Sequence, residues 1–269
     1  MVFRIGLVGC GAIGMEIARA LDCGQVPARL AAVSDRNQER ARTLIAGLQD
    51  RPPMLALDEL VEHSDLVVEA ASQGAVLEVA RAALSRGRDL MIMSVGALMD
   101  PDLLQTVQDL AEEHGCKVYL PSGAISGLDG LKSAGVGEIR KVSLTTTKNP
   151  AGLEGAPYIL EKGIDLQSLK EPTLIFEGPA REAVRAFPAN VNVAATLSLA
   201  YGGQVEVRIV ADPRIKVNRH EILVEGDFGC ISTRVENVPS PRNPRTSFLA
   251  ALSAIATLQS IVSPIKIGT

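Results

Sequence analysis

Two different grammars of apolar and polar positions run along the chain. Up to about residue 122, short continuous apolar runs alternate with stretches in which apolar residues recur every three to four positions, the pattern of buried strands separated by amphipathic helices. Phe3-Arg4-Ile5-Gly6-Leu7-Val8 is the first such strand, and Ile17, Ala18, Ala20 and Leu21 then keep one helical face apolar. Leu30-Ala31-Ala32-Val33, Leu66-Val67-Val68 and Leu90-Met91-Ile92-Met93 follow as strands. Between the last two, Val76, Val79, Ala80 and Ala83 lie at helical spacing, with Gly87 as a stop. Asp100-Pro101-Asp102 offers another helix a side-chain cap, a proline at its first position and an acid in its first turn. Lys117-Val118-Tyr119-Leu120-Pro121 closes the series. Alternation of this kind predicts a parallel sheet with helices on both faces.

From about Glu138 the strands become longer and more nearly consecutive: Ile139 to Thr147, Thr173 to Phe176, Val205 to Val210, Ile222 to Glu225 and Ile231 to Val235. They predict a mixed or antiparallel sheet with a few helices. One helix is expected over Val191 to Ala200, starting at Asn190. Another is expected to be capped by Asn243-Pro244, with Phe248, Leu252, Ile255, Leu258 and Val262 on its apolar face and Pro264 at its end. Domain boundaries then fall at 1–122, completed by a returning helix in 243–269, and 123–242.

The first strand breaks into Gly9-Cys10-Gly11-Ala12-Ile13-Gly14 and then a helix. That context suits a dinucleotide. One glycine makes the tight turn, a second lets backbone approach a pyrophosphate, and a third allows close packing of helix on strand. The helix N-terminus, at Ala12 and Ile13, supplies free N–H donors and partial positive charge. Asp35 ends the second strand about 20 residues beyond Gly14, where a carboxylate holds a ribose 2′-hydroxyl and repels a 2′-phosphate. Arg36 beside it is a group that accepts such a phosphate. NAD is therefore the expected cofactor, with NADP left open. The alternative is a βα unit whose glycines serve packing and whose Asp35 caps a helix. The fold class that follows is α/β, a Rossmann-type doubly wound parallel sheet plus a second α+β domain with a mixed or antiparallel sheet.

Composition narrows the function classes. With 46% hydrophobic and 22% charged residues in 269, the chain reads as globular. A net charge of −4 argues against nucleic acid or an acidic membrane as partner. No run reaches the roughly 18 to 20 apolar residues of a membrane span, and no leader pattern opens the chain. Cys10, Cys23, Cys116 and Cys230 form no C-x-x-C pair, so a reduced, cytoplasmic protein without a metal site is expected.

A dinucleotide grip beside a second domain implies hydride transfer, and a proton must then be handled. His63 lies in a polar turn, and His114 lies near a helix end, where a cation suits the macrodipole. His220, within Lys216-Val217-Asn218-Arg219-His220-Glu221, leads into a strand of the second domain. An imidazole there can take and return a proton, or it can be an ordinary surface histidine. Ser122-Gly123-Ala124-Ile125-Ser126-Gly127-Leu128-Asp129-Gly130 follows the last strand of the first half and reads either as a loop facing the nicotinamide or as a hinge. Asn190 and Asn192 stand at a helix start, as a cap or as amides aimed at carboxamide or substrate. Lys148 ends a strand and is either solvated or paired with a substrate carboxylate.

Taken together, four segments resemble the L-aspartate dehydrogenase family over essentially the whole chain. They are the glycine turn, Gly123-Ala124-Ile125-Ser126-Gly127-Leu128-Asp129, Phe187-Pro188-Ala189-Asn190-Val191-Asn192-Val193-Ala194-Ala195 and Asn243-Pro244-Arg245-Thr246-Ser247. The resemblance implies NAD(P)-dependent oxidation of L-aspartate, through iminoaspartate, to oxaloacetate and ammonia, with the imine as a feed for pyridine nucleotide synthesis. It implies cofactor contacts at Ala124 and Asn190 and the catalytic histidine at His220. A homodimer is expected from the frequency of two-fold pairs among soluble proteins. Other two-domain oxidoreductases, or a protein that senses NAD(H) without turnover, are the alternatives. The sugar-type relatives carry Glu-Lys-Pro where this chain has Ser94-Val95-Gly96. Dihydrodipicolinate reductases carry a paired-histidine motif that His63, His114 and His220 do not reproduce.

Overall fold

A computed structural model describes residues 2–188, 192–240 and 243–268, with backbone alone for 243–246. The chain divides into two compact units, Met1–Pro121 with Ala251–Ile267, and Ser122–Ala250.

In the first unit the elements are β1 (Arg4–Val8), α1 (Ala12–Asp22), β2 (Arg29–Ser34), α2 (Gln38–Ala46), α3 (Leu57–Glu62), β3 (Leu66–Glu69), α4 (Val76–Leu84), β4 (Asp89–Ile92), α5 (Pro101–Glu113) and β5 (Val118–Tyr119). The strands form one parallel sheet in the order β2-β1-β3-β4-β5. All four residues of β3 are buried, as a central parallel strand covered on both faces requires. Asp100 caps α5 as its sequence predicts, its side chain accepting from the N–H groups of Asp102 and Leu103. Strand order reverses between β1 and β3, so the crevice for a ligand opens at their carboxyl ends.

The second unit contains α6 (Leu128–Ala134), β6 (Ile139–Lys148), α7 (Pro157–Lys162), β7 (Thr173–Pro179), α8 (Ala180–Ala186), α9 (Asn192–Tyr201), β8 (Glu206–Ala211), β9 (Asn218–Gly226), β10 (Gly229–Asn237), β11 (Pro239–Ser240) and β12 (Asn243–Ser247). Its main sheet runs β10-β9-β6-β8-β7, with β6 and β8 parallel and the other neighbours antiparallel. Phe187 is fully buried against Phe176 and Tyr158, with ring centroids 5.5 to 5.8 Å apart.

The last helix, α10 (Phe248–Val262), corrects the expectation of a cap at Asn243-Pro244. Asn243–Ser247 is a strand paired antiparallel with Pro239–Ser240. A cap and a strand both place the residue before a proline in extended backbone, and here pairing with Pro239–Ser240 continues the strand to Ser247, so the helix starts at Phe248. The apolar stripe is also only partly used. Ala254, Ile255 and Leu258 join the core built by Ile5, Leu7 and Ile17, whereas Phe248 and Leu252 remain exposed. Gln259 Nε2 adds a hydrogen bond to Gln25 O at 2.9 Å.

Candidate active site

Each glycine of the first turn has a separate steric reason. Gly9 has φ +101°, and a Cβ on it would stand 2.5 Å from Ala70 O. A Cβ on Gly14 would collide with Gly9 O, because α1 lies directly against the turn. Gly11 differs: a Cβ there meets nothing within 4 Å. Its neighbourhood is open, as the approach of a pyrophosphate to backbone demands. Gly11 is also the N-cap residue of α1 and offers no side chain to the helix's first N–H groups, so those of Ala12, Ile13 and Gly14 are presented at an uncapped helix end.

Asp35 stands at the end of β2 and holds this turn in place. Cys10 N–H donates to Asp35 Oδ2 and Asn37 N–H to Asp35 Oδ1, each at 2.7 Å. Gly9, Gly11 and Asp35 line a cleft of about 310 Å³ together with Arg36, Ala71, Ser72 and Glu78. The Cys10 thiol beside it is inert, since burial and the Asp35 charge push it up to about 12.

Glu69, which the sequence shows only as an acid at the end of an apolar strand, fixes the other wall of the cleft. Its Oε1 accepts from Ala71 N–H at 2.8 Å, Ser72 N–H at 3.0 Å and Ser94 Oγ at 2.9 Å, and its Oε2 accepts from Ser94 N–H at 3.0 Å. Burial raises its carboxyl above the ordinary range against the pull of these bonds. The carboxylate thereby ties the segments that follow β3 and β4.

The second unit carries a buried polar group of its own. β9 begins at Asn218, earlier than expected, so His220 lies inside the strand instead of ahead of it. Only 2% of His220 is exposed, which overturns the surface-histidine alternative. His220 pairs in register with Thr146 of β6, and Thr146 Oγ1 and His220 Nδ1 lie 3.0 Å apart. Lys148 follows two residues after Thr146 on the same strand and is 4% exposed, so it is not the solvated lysine of the simpler reading. Burial brings Lys148 down to about 8. Burial first, and then the charge of Lys148, brings His220 down to about 3. The imidazole is therefore neutral across the physiological range, with Nδ1 engaged by Thr146 and Nε2 left as the ring's other reactive atom.

The other candidates are dispersed. Ala124 is buried, and its carbonyl accepts from Asn237 Nδ2 at 2.8 Å, at the end of β10. Asn192 opens α9 with its side chain exposed. Asn190 lies outside the described residues. His63 and His114 occupy the C-caps of α3 and α5. Among the described residues, no helix is long and apolar enough to cross a membrane.

A parallel sheet with a glycine turn and a strand-end carboxylate, joined in one chain to a mixed sheet with a buried imidazole and lysine, defines a dehydrogenase that uses a pyridine nucleotide. Comparison with known proteins specifies the family. Residues 129–261 match the family model described as aspartate dehydrogenase, C-terminal, and residues 9–121 match that described as homoserine dehydrogenase, NAD binding domain. The chain is 58% identical to the L-aspartate dehydrogenase of Methanocella arvoryzae over 100% of both chains. It is 45% identical to that of Methanocaldococcus jannaschii, again over 100% of both. Among solved structures it superposes on aspartate dehydrogenase from Thermotoga maritima with a TM-score of 0.76 at 27% identity, covering 100% of each chain. The chain belongs to the L-aspartate dehydrogenase family.

Proposed function

We propose that this protein oxidises L-aspartate through iminoaspartate to oxaloacetate and ammonia, with NAD as its first dinucleotide and NADP also admitted. The observation that carries this reading is the full-length likeness, at 45 to 58% identity, to relatives named for that activity. The residues present also suit the cofactor. The open space at Gly11 is a cradle for a pyrophosphate, and Asp35 offers its remaining lone pairs to a ribose hydroxyl. When bound, the nicotinamide ring accepts the hydride that leaves Cα of aspartate.

Hydride can depart only as the nitrogen lone pair forms the C=N bond, so the substrate ammonium must first lose a proton. His220 Nε2 takes that proton, while Thr146 holds Nδ1 and fixes the ring's orientation and tautomer. Lys148 meets a substrate carboxylate. Arrival of a dicarboxylate beside Lys148 adds negative charge, offsets the lysine and makes the imidazole a stronger base. The resulting imidazolium returns its proton as water adds to the imine and ammonia is expelled. Ala124 and Asn190 are assigned to cofactor contacts on the strength of the family resemblance, and Asn192 to the substrate from its place at the start of α9. A homodimer is the working state we assign from the frequency of two-fold pairs among soluble proteins, and a reduced, cytoplasmic setting from the cysteine usage.

Purified protein incubated with L-aspartate and NAD or NADP should produce reduced nicotinamide, followed by its absorbance. No signal with aspartate, together with a signal from another amino acid or a polyol, would overturn the substrate assignment.

A further inference from the structure

Two charged side chains in the first unit's cleft take part in no step above. Arg36 follows Asp35 where β2 ends, and Glu78 stands in the first turn of α4. Both line the cleft, as does Arg40. Arg36 Nη2 reaches Glu78 Oε2 at 3.0 Å, so an ion pair spans the cleft from the segment after β2 to the helix after β3. With 82% and 61% of the two side chains exposed, the pair is weak and easily exchanged for another partner.

A guanidinium next to the carboxylate that takes a ribose 2′-hydroxyl is the group suited to a 2′-phosphate. Here that guanidinium already has a carboxylate partner. We propose that Glu78 is a specificity-determining residue, competing with the 2′-phosphate for Arg36 and so biasing the cleft towards NAD(H). The inference rests on the dinucleotide reading of the cleft.

The physical logic is a difference between two ligands. A phosphomonoester carries between one and two negative charges near neutral pH. To reach Arg36 it must displace Glu78 and then remain in a cleft that holds two carboxylates, Asp35 and Glu78. NAD(H) places a hydroxyl at Asp35 and requires no cation at that point, so the cost falls on one dinucleotide alone. Because the displaced pair is an exposed one, Glu78 imposes a bias and not an exclusion.

Direct binding tests this without any amino-acid substrate. NADH and NADPH are titrated separately into the full-length protein, following fluorescence of the reduced nicotinamide. Glu78→Gln should tighten NADPH by about fivefold, the worth of one exposed ion pair, and move NADH by less than about twofold. Adding Arg36→Gln to that variant should cancel the gain, because the freed guanidinium is its source. An unchanged NADPH/NADH ratio in Glu78→Gln overturns the proposal, as does an equal shift in both dinucleotides. Failure of the unaltered protein to bind either one overturns the cofactor reading itself, and the proposal falls with it.

Discussion

The glycine turn of the first unit is made of backbone, and the buried polar group of the second is made of side chains. Gly9, Gly11 and Gly14 act by lacking a side chain, within six consecutive residues, and their effect is to bring amides and carbonyls close. Thr146, Lys148 and His220 act through their functional atoms, and Thr146 lies 74 residues from His220 in sequence. A site of the first kind is set by local steric rules. One of the second kind depends on strand register, because a one-residue slip of β9 would carry His220 to the other face of the sheet. The two regions should therefore fail differently when altered. The first should lose affinity or folding, and the second should lose turnover while the dinucleotide still binds.

The widest separation is expected from His220→Ala. Turnover of aspartate should fall by about 10²-fold or more, as for loss of a general base, with NADH affinity nearly intact. A comparable loss of NADH affinity would erase the contrast between the two regions. Next come two alanines within the glycine turn. Gly14→Ala forces a Cβ into Gly9 O and should destabilise the fold by about 1–3 kcal/mol, seen as a lower Tm. Gly11→Ala meets no protein atom and should leave stability within about 1 kcal/mol, yet weaken NADH about tenfold or more. Equal behaviour of these two variants would mean that Gly11 faces no ligand.

Thr146→Val sharpens the description of the second region. Loss of one buried hydrogen bond should lower kcat about tenfold and shift the pH profile of kcat, with KM for the dinucleotide unchanged. Thr146→Ser should restore both, whereas a purely structural Thr146 would leave the profile in place. The remaining contrast is in stability against pH. His220 falls from 6.5 in the unfolded chain to about 3, and Lys148 from 10.5 to about 8. Both are depressed, so the unfolded chain binds more protons across each interval and stability rises with pH through both. Acidification below 6.5 should thus lower Tm, with His220 contributing up to about 1.4 kcal/mol per pH unit. His220→Gln should flatten that dependence, and an unaltered slope would place the acid sensitivity elsewhere.

Legibility in the sequence follows the same division. The glycine turn, the Asp100 cap and the apolar strands are local patterns, and each lies where its spacing predicts. The second unit was harder to read. The apolar alternation of β9 begins only at Ile222, because Asn218 and His220 are polar residues on its buried face, so the strand's first half reads as a loop. Thr145-Thr146-Thr147 carries no alternation, and nothing local distinguishes the threonine that meets the imidazole. Glu69 and Glu78 likewise gain their meaning from partners in other elements. Asn243-Pro244 was legible but ambiguous, since the same two residues suit a cap and an extended strand.

The most direct test of the account follows the hydride itself. L-Aspartate deuterated at Cα should pass its deuterium to the nicotinamide, leaving one deuterium per reduced dinucleotide by mass spectrometry and a slowed single turnover. Reduced dinucleotide without deuterium, or deuterated aspartate returned unchanged under turnover conditions, would contradict it.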